Sequence, residues 1–323
     1  MGKAVQMIGP GGVDRLALVD APEQMPGQGL VRIRHEAIGA NFIDIYHRTG
    51  LYPLPYPAVL GIEGAGVVEA VGDDVTEWRV GDRAAYAGAP VGAYATTRLL
   101  PVARLVRLPD DVAARTAAAT IFKGLTAHML LTETYCVSAG DILLVHAAAG
   151  GLGGLLVRWA KHIGATVIGT AGSPAKAAVA RAHGADHVIV GRDADIVAEV
   201  GKLTQGRGVD FAIDGIGGDM LRQTLACVRR FGTVASTGQA AGPIPPLDLE
   251  ELGPVRSLSL ARPSIMGYTA DMDRYHRAAQ ALMAVMRAGI VADIGGEYPL
   301  AQADRAQADL ETGRTTGSLI LLP

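Results

Sequence analysis

The sequence contains little cysteine and no long apolar run. Its two cysteines, Cys136 and Cys227, lie far apart and form no C-x-x-C pair, which suits a reducing compartment and excludes zinc bound mainly by thiolates. No apolar run approaches the ~20 residues that cross a bilayer, and the N-terminus carries no signal-peptide pattern. We therefore expect a cytoplasmic protein with no membrane partner.

An excess of charge of one sign is also absent. The 29 Lys and Arg residues and 32 Asp and Glu residues give a formal net charge of −3, with a pI near 6.2. This charge balance does not favour a nucleic-acid partner, because proteins that bind nucleic acids usually carry a strongly basic surface. Hydrophobic residues, in contrast, make up 49% of the 323 positions, enough for about two domains at ~150 residues each.

The middle of the chain has the pattern of a dinucleotide-binding unit. An apolar strand at 142–145 precedes a glycine-rich turn, and a helix and a second strand at 166–170 follow it. The turn has the form A-x-G-x-x-G, with Ala148 at the first glycine position. Its context favours a pyrophosphate site at the helix N-terminus over an ordinary β–α turn. The predicted cofactor contacts in this turn are Ala149, Gly150, Gly151, Leu152 and Gly153.

Strands and helices continue to alternate up to about residue 261. Further strands are predicted at 187–190, 209–214, 232–236 and 258–261, and Asp193 is expected to cap the helix that follows the first of them. This alternation predicts an α/β fold with a doubly wound parallel sheet.

The first hundred residues lack helical periodicity. Short strand-like segments separated by Gly, Pro and Asp predict a compact β-rich domain, a partly open barrel. Two helices, at 112–119 and 123–134, are predicted to lead into the strand at 142–145.

The end of the second strand of the dinucleotide unit bears on the choice of cofactor. NAD sites usually place an acid there, whereas this chain has none and offers the Ser173 hydroxyl and, one helical turn later, the Lys176 cation. Arg192 could add a second positive charge. Ser173 could equally cap the next helix, and both cations could be solvated surface charges. The charge pattern favours NADPH over NADH.

Several motifs together resemble those of a known family. The chain is similar over nearly its whole length to the zinc-independent, ζ-crystallin-like quinone oxidoreductases of the medium-chain dehydrogenase/reductase superfamily, and especially to the bacterial NADPH:quinone reductases. The segments that carry the resemblance are 41–46 (NFIDIY), 50–53 (GLYP), 61–66 (GIEGAG), 81–83 (GDR), 123–126 (KGLT), 146–151 (HAAAGG), 262–264 (RPS) and 317–318 (GS).

The resemblance implies a two-domain organisation. A GroES-like catalytic domain is expected to comprise 1–122 and 263–323, and a Rossmann NADPH-binding domain to comprise 123–262. Nicotinamide and substrate are expected in the cleft between them. The resemblance also implies a homodimer paired through the edge strand of the Rossmann sheet, for which 258–261 is a plausible candidate.

The resemblance further implies chemistry without a metal. Zinc-dependent relatives have a cysteine at the position of Asn41 and a histidine at the position of Ile62, and neither residue present here is a good zinc ligand. We therefore expect no metal site, and direct hydride transfer from NADPH to a small quinone. The alternatives are reduction of an enone or 2-alkenal double bond, and a non-catalytic NADPH-binding crystallin or RNA-binding role.

Site residues are carried over from the family's motifs. Tyr52 is expected to donate a hydrogen bond, and in one reading a proton, to the substrate oxygen, while Asn41 and Tyr46 orient the pocket. A water molecule could supply the proton instead, and each of the three could have a purely structural role. Further expected contacts to nicotinamide, ribose or other parts of the cofactor are Thr126, Lys123, Gly238, Gln239, Arg262 and Arg314. Bacterial relatives carry a tyrosine after the third strand, where this chain has Gly191.

Overall fold

The computed structural model describes residues 2–323 and contains two compact units. The first unit comprises the chain up to Leu125 together with Thr269–Pro323, and the second comprises Thr126–Tyr268. Two sheets and an apolar core lie in the first unit, and one sheet and a second apolar core lie in the second. No helix within residues 2–323 is long and apolar enough to span a membrane.

The strands are short, and most lie in the first unit. In chain order they are β1 (Gly2–Met7), β2 (Ala17–Ala21), β3 (Leu30–Ala40), β4 (Ala58–Val59), β5 (Glu63–Val71), β6 (Arg83–Ala87), β7 (Thr97–Pro101), β8 (Val106–Arg107), β9 (Ile142–Val145), β10 (Thr166–Ala171), β11 (His187–Val190), β12 (Val209–Asp214), β13 (Val228–Ser236), β14 (Ser259–Ala261), β15 (Ile294–Pro299) and β16 (Ser318–Leu322).

Helices alternate with the strands in most of the second unit, and further helices lie between strands of the first unit. They are α1 (Phe42–Thr49), α2 (Ala114–His128), α3 (Gly151–Ile163), α4 (Pro174–Ala182), α5 (Ile196–Leu203), α6 (Met220–Cys227), α7 (Ile265–Ala270), α8 (Met272–Arg287) and α9 (Ala303–Glu311). A π-helical segment, Met129–Thr134, continues α2.

The first unit is built on an open sheet around β3. Its strand order is β15-β16-β3-β5-β6-β8, with β7 also paired to β3, and a separate three-stranded sheet has the order β2-β1-β4. Alternate side chains of β3 and β16 enter a core that includes Val31, Ile33, Ile38, Leu319 and Leu321. The β-rich fold predicted for the first hundred residues is confirmed, and no closed barrel is present in the described chain.

The second unit is the predicted doubly wound sheet. Its six strands are all parallel and have the order β11-β10-β9-β12-β13-β14. Strands β9 and β12 lie at the centre and are almost entirely buried, as expected of strands covered on both faces; their side chains are apolar except for Asp210 and Asp214 in β12. In such a sheet, ligands bind beyond the carboxyl ends of the strands, near the point where the order reverses.

Asp210 joins the central strands of the second unit at their amino ends. Its buried carboxylate accepts hydrogen bonds from the Ile142 N–H (2.9 Å), Arg207 Nη2 (2.6 Å) and Arg229 Nε (2.5 Å). Burial alone would raise the pKa of Asp210, but these hydrogen bonds outweigh it and lower that pKa to about 2. The group is therefore a structural ion pair, away from the carboxyl ends of the strands.

Three details of the prediction were wrong. The segments 112–119 and 123–134 are not separate helices, because α2 runs through the buried residues between them. The cap of α5 is Asp195, whose carboxylate accepts from the Ala198 N–H (2.9 Å), and not Asp193. The helix α9 and the strand β7 were not predicted.

Candidate active site

Asn41 lies where β3 ends and α1 begins, and its backbone forms the cap of that helix. Its N–H donates to Asp44 Oδ2 (2.9 Å), and the Asp44 N–H donates to the Asn41 carbonyl (3.0 Å). Gly50, at φ 83°, ends the helix two turns later. The backbone of Asn41 and the carboxylate of Asp44 thus cap the helix, while the Asn41 side chain also bonds to residues outside it.

The Asn41 side chain joins Glu63 and Lys123 in a buried cluster. Asn41 Nδ2 donates to Glu63 Oε1 (2.6 Å), while Lys123 Nζ donates to Asn41 Oδ1 (2.7 Å) and to Glu63 Oε1 (3.2 Å). The other carboxylate oxygen, Oε2, accepts from the Phe122 N–H (2.8 Å). We call this group the Asn41–Glu63–Lys123 cluster. It brings together α1, β5 and α2, and two of its three members were predicted site residues.

A glycine makes room for the cluster. A Cβ atom on Gly39 would lie 2.1 Å from Glu63 Oε1 and 2.4 Å from the Ala118 carbonyl oxygen. Gly39 is part of the extended strand β3, so its backbone conformation would allow any residue. Glycine is needed there because a side chain would collide with Glu63 and Ala118.

Asp44 is a second buried carboxyl, linked to the cluster through the backbone of Asn41. Its Oδ2 also accepts from the Tyr94 hydroxyl (3.0 Å), while Oδ1 has no hydrogen-bond partner within the described chain. Burial raises the pKa of Asp44 to about 7; the hydrogen bonds from Asn41 and Tyr94 and the charge of Lys123 lower it, and the charge of Glu63 raises it. Because burial disfavours the charged form of Asp44, this carboxyl is still partly protonated near neutral pH.

We expect the free energy of unfolding to fall as pH rises through the titration of Asp44. The folded state keeps this proton up to about pH 7, whereas the unfolded chain releases it near 3.8, so the folded state binds more protons in this window. The loss is at most about 1.4 kcal/mol per pH unit. Asp44→Asn should flatten the dependence in urea unfolding between pH 5 and 8.

Asp210→Asn is the matched control for that measurement. Its carboxyl has a pKa of about 2, so its removal leaves the slope between pH 5 and 8 unchanged. A wild-type slope in Asp44→Asn would contradict the assignment.

Tyr46 and Tyr52 form an aromatic pair at the end of α1. Their ring centroids lie 5.4 Å apart in an edge arrangement, and the Tyr52 N–H donates to the Tyr46 carbonyl (3.1 Å). The ring of His47 also contacts Tyr52, at 6.1 Å. Tyr52 is 41% exposed, so it is not a buried anchor for the proline-rich loop that follows it.

The positions that correspond to zinc ligands in related dehydrogenases have other roles here. Ile62 is a fully buried core side chain, and both carboxylate oxygens of Glu63 accept hydrogen bonds within the cluster. Among residues 2–323, no group of three or more His, Cys, Asp or Glu side chains is placed to hold a metal ion. The donor set at Asn41 and Ile62 does not suit zinc.

The glycine turn of the second unit is shaped for close approach to a ligand. Gly150 caps α3 without a side chain, so no cap side chain covers the N–H groups of the first turn. A Cβ on Gly153 would lie 2.2 Å from the Ala147 carbonyl oxygen. At the first position of the motif, the Ala148 methyl occupies the space where a Cβ on Gly169 would lie, 2.7 Å away.

A network of buried hydrogen bonds around His146 stabilises this turn. His146 bonds Thr170 Oγ1 (3.1 Å) through Nδ1 and Thr224 Oγ1 (2.9 Å) through Nε2, and Thr170 Oγ1 also accepts from the Ala147 N–H (3.3 Å). Burial lowers the pKa of His146, with the charge of Asp214 opposing that shift. Ala147 has φ 50°, a left-handed conformation that this hydrogen bond helps to hold.

Ser173, Lys176 and Arg192 lie together beyond β10 and β11. Ser173 caps α4 by accepting from the Lys176 N–H (3.3 Å), which the sequence had left open. Burial, and then the charge of Arg192, lower the pKa of Lys176. The side chain of Arg192 lies against Gly172, 3.6 Å from where its Cβ would be. Two cations that repel each other beside an uncharged hydroxyl form a site suited to an anion.

The remaining predicted cofactor residues fall into separate groups. Arg262 donates to Ser236 Oγ (2.7 Å) and to Gln239 Oε1 (3.2 Å), which places it beside Gly238 at the end of β13. Thr126 is buried on α2 and belongs to the second unit. Arg314 is exposed after α9 in the first unit. Lys123 also belongs to the first unit, but it is buried in the Asn41–Glu63–Lys123 cluster.

Sequence reasoning missed Glu63 and Asp44. The signal for Glu63 is an acid inside a strand of small and apolar residues, since a buried carboxylate requires partners. The signal for Asp44 is its position three residues after the cap of a helix.

Known families and structures match this chain along its length. A family model described as "Alcohol dehydrogenase GroES-like domain" matches residues 27–110, and one described as "Zinc-binding dehydrogenase" matches 151–284. A quinone oxidoreductase of Pseudomonas aeruginosa is 42% identical over 325 residues, covering 100% of both chains. The chain belongs to the quinone oxidoreductase family of medium-chain dehydrogenases/reductases.

Other members of the quinone oxidoreductase family have solved structures. The crystal structure of Escherichia coli quinone oxidoreductase complexed with NADPH has a TM-score of 0.96 at 36% identity, covering 99% of this chain and 100% of that one. A 2-haloacrylate reductase of a Burkholderia species is also similar, at 39% identity over 97% of this chain and 96% of its own length. The GroES-like and Rossmann architecture predicted from the sequence is therefore confirmed.

Proposed function

We propose that this member of the family is an NADPH-dependent quinone oxidoreductase that transfers hydride to a small quinone without zinc. The observation that carries the proposal is the match to quinone oxidoreductases along the entire chain. The division of labour proposed from the family is a catalytic domain of 1–122 and 263–323 and an NADPH-binding domain of 123–262.

The glycine turn and the cations beyond β10 fit NADPH. The space above Gly150 and Gly153 would take the pyrophosphate, against uncovered N–H groups of α3. Ser173, Lys176 and Arg192 would hold the 2′-phosphate. Ala149, Gly151, Leu152, Gly238, Gln239, Arg262 and Arg314 are proposed as further cofactor contacts.

The polar groups of the first unit would act on the substrate. NADPH, when bound, supplies a hydride equivalent. Asn41 and Lys123 would direct N–H groups at nicotinamide or ribose, or at the substrate oxygen, on which negative charge develops. Thr126, which belongs to the second unit, is proposed as a further polar contact. Tyr46 would shape the pocket, and Tyr52, or a water molecule, would donate the proton that completes the reduction.

The proposal is tested by NADPH oxidation with a panel of ortho- and para-quinones, monitored by the loss of reduced nicotinamide absorbance. We expect saturable, quinone-dependent turnover that is faster with NADPH than with NADH. An absence of turnover with every quinone in the panel would contradict the proposed function.

Tyr52→Phe should lower kcat with a quinone about tenfold, as expected from loss of one hydrogen bond worth ~1.4 kcal/mol. The aromatic pair with Tyr46 is retained, so pocket shape and the KM for NADPH should change little. Tyr56→Phe, another exposed tyrosine of the same loop, is the control. Undiminished turnover in Tyr52→Phe would reject a chemical role for the hydroxyl.

A second candidate is reduction of an activated carbon–carbon double bond. The similarity to a 2-haloacrylate reductase favours it, because an enone or 2-alkenal also develops negative charge on oxygen when hydride is added. Measuring kcat/KM for 2-alkenals, 2-haloacrylate and quinones side by side separates the two. A higher value for the alkenes would make the second candidate the main activity.

We also propose a cytoplasmic homodimer paired through the edge strand β14. Phe231 and Val255 are 75% and 71% exposed, and the Phe231 N–H donates to the Arg256 carbonyl (3.1 Å), so the backbone segments that carry these two apolar side chains are adjacent. The balanced charge gives no support to an RNA-binding role. Sedimentation velocity tests the dimer, and a monomer at micromolar concentration would contradict it.

A further inference from the structure

Glu63 is a fully buried carboxylate at the start of β5. It accepts hydrogen bonds from Asn41, from Lys123 and from the Phe122 backbone, so each of its oxygens is used. A buried charge of this kind is costly unless it is paired and hydrogen-bonded. The space for it exists only because residue 39 is glycine.

These contacts fix the orientation of Asn41 without ambiguity. A carboxylate only accepts and an ammonium only donates, so Glu63 must face the Asn41 amide nitrogen and Lys123 must face the amide oxygen. The opposite orientation of the amide would place donor against donor and acceptor against acceptor.

The same contacts determine which N–H groups remain for a ligand. Lys123 Nζ carries three hydrogens and uses two of them, on Asn41 and Glu63; Asn41 Nδ2 carries two and uses one, on Glu63. One N–H on each residue therefore has no acceptor in residues 2–323. Both residues are more than nine-tenths buried, so neither can turn freely into solvent.

We propose that Glu63 is a positioning residue for the reaction, which holds Asn41 and Lys123 so that one N–H of each faces the cofactor or substrate. The inference deepens the proposed function and rests on it. Glu63 itself is not expected to contact cofactor or substrate; its effect passes through the side chains of Asn41 and Lys123, which are proposed to make those contacts. A purely structural carboxylate would stabilise the fold and leave ligand affinity unchanged.

NADPH affinity tests the link to Lys123. The dissociation constant is measured by fluorescence titration for wild type, Glu63→Gln, Lys123→Met and the double variant. Glu63→Gln is isosteric but places an amide N–H against Asn41 or Phe122. We expect each single variant to raise the dissociation constant for NADPH about tenfold or more. The double variant should bind NADPH only as weakly as the weaker-binding single variant, because the two residues act as a unit. Wild-type affinity in either single variant, or losses that multiply in the double variant, would overturn the proposal.

Quinone turnover tests the link to Asn41. Glu63→Gln and Asn41→Ala should each lower kcat, by up to about 100-fold for a misplaced contact, and the double variant should fall no further. Glu63→Asp keeps the charge but shortens the side chain; it guards against a failure of Glu63→Gln to fold, and it should show the same losses. Full activity and affinity in Glu63→Asp would also overturn the proposal.

Asp210→Asn controls for a general loss of stability. It too removes a buried carboxylate that accepts a backbone N–H and pairs with cations, so the thermal midpoint should fall while NADPH affinity and kcat are retained. The proposed function and the proposed role of Glu63 can fail separately. If the wild-type protein reduces no quinone, the proposed function is rejected, while the NADPH titrations still decide whether Glu63 positions Lys123.

Discussion

The double variant Lys176→Ala/Arg192→Ala should lower kcat/KM for NADPH about 100-fold and leave kcat/KM for NADH nearly unchanged. A charge-assisted hydrogen bond to a phosphate contributes about 1.5–3 kcal/mol. Arg192 is exposed and more screened, so about 3 kcal/mol for the pair is a reasonable total, which corresponds to roughly two orders of magnitude. Steady-state kinetics with both cofactors, at saturating quinone, provides the measurement.

The matched control for cofactor choice is Arg181→Ala. Arg181 is also an exposed cation on α4, but it lies two turns from the Ser173 cap. It should leave the ratio of NADPH to NADH unchanged. Equal losses with both cofactors in the double variant would show that Lys176 and Arg192 do not recognise the 2′-phosphate.

Gly153→Ala should raise the dissociation constant for NADPH by about 100-fold. The added Cβ would lie 2.2 Å from the carbonyl oxygen of Ala147 and 2.8 Å from its carbonyl carbon. These are backbone atoms, so the turn itself must move, and displacement of a binding loop by about 1 Å commonly costs this much. Fluorescence titration with NADPH and the thermal midpoint report the two effects separately.

Gly201→Ala makes the same chemical change where there is room for it. Gly201 lies inside α5 with nothing within 4 Å of its Cβ position. Alanine is the better helix former by about 1 kcal/mol, so stability should rise and NADPH affinity should not change. Tight NADPH binding by Gly153→Ala would mean that the pyrophosphate does not approach this turn.

The second unit could be predicted from sequence because its signals are local. Strands β9, β11 and β12 are short, mainly apolar segments that are followed by glycine or a polar residue, and the sequence places all three at the observed positions. The polar helix α9 could not be predicted in this way. Its few apolar positions are mostly alanine, and its buried Gln307 accepts from Arg48 on α1 (2.7 Å), a partner 259 residues away.

The candidate site was predictable as residues but not as an arrangement. Asn41 and Lys123 are found through motifs, yet they are 82 residues apart, and only folding brings their side chains to 2.7 Å. Glu63, which joins them, lies 22 residues from Asn41 in a strand where no local pattern reveals its partners. The mistake over Asp193 is of the opposite kind: two aspartates compete for one cap, and loop geometry selects Asp195.

The close packing of Ala148 against Gly169 explains how the glycine-rich turn can carry alanine at its first glycine position. The two positions share room for a single methyl group, carried here by the turn and withheld from the neighbouring strand. The residue without a side chain is therefore Gly169 on β10, twenty-one positions after the place in the turn where the motif usually has glycine. In this chain the dinucleotide motif is thus better described by the space that its turn and the neighbouring strand share than by consecutive residues of the turn alone.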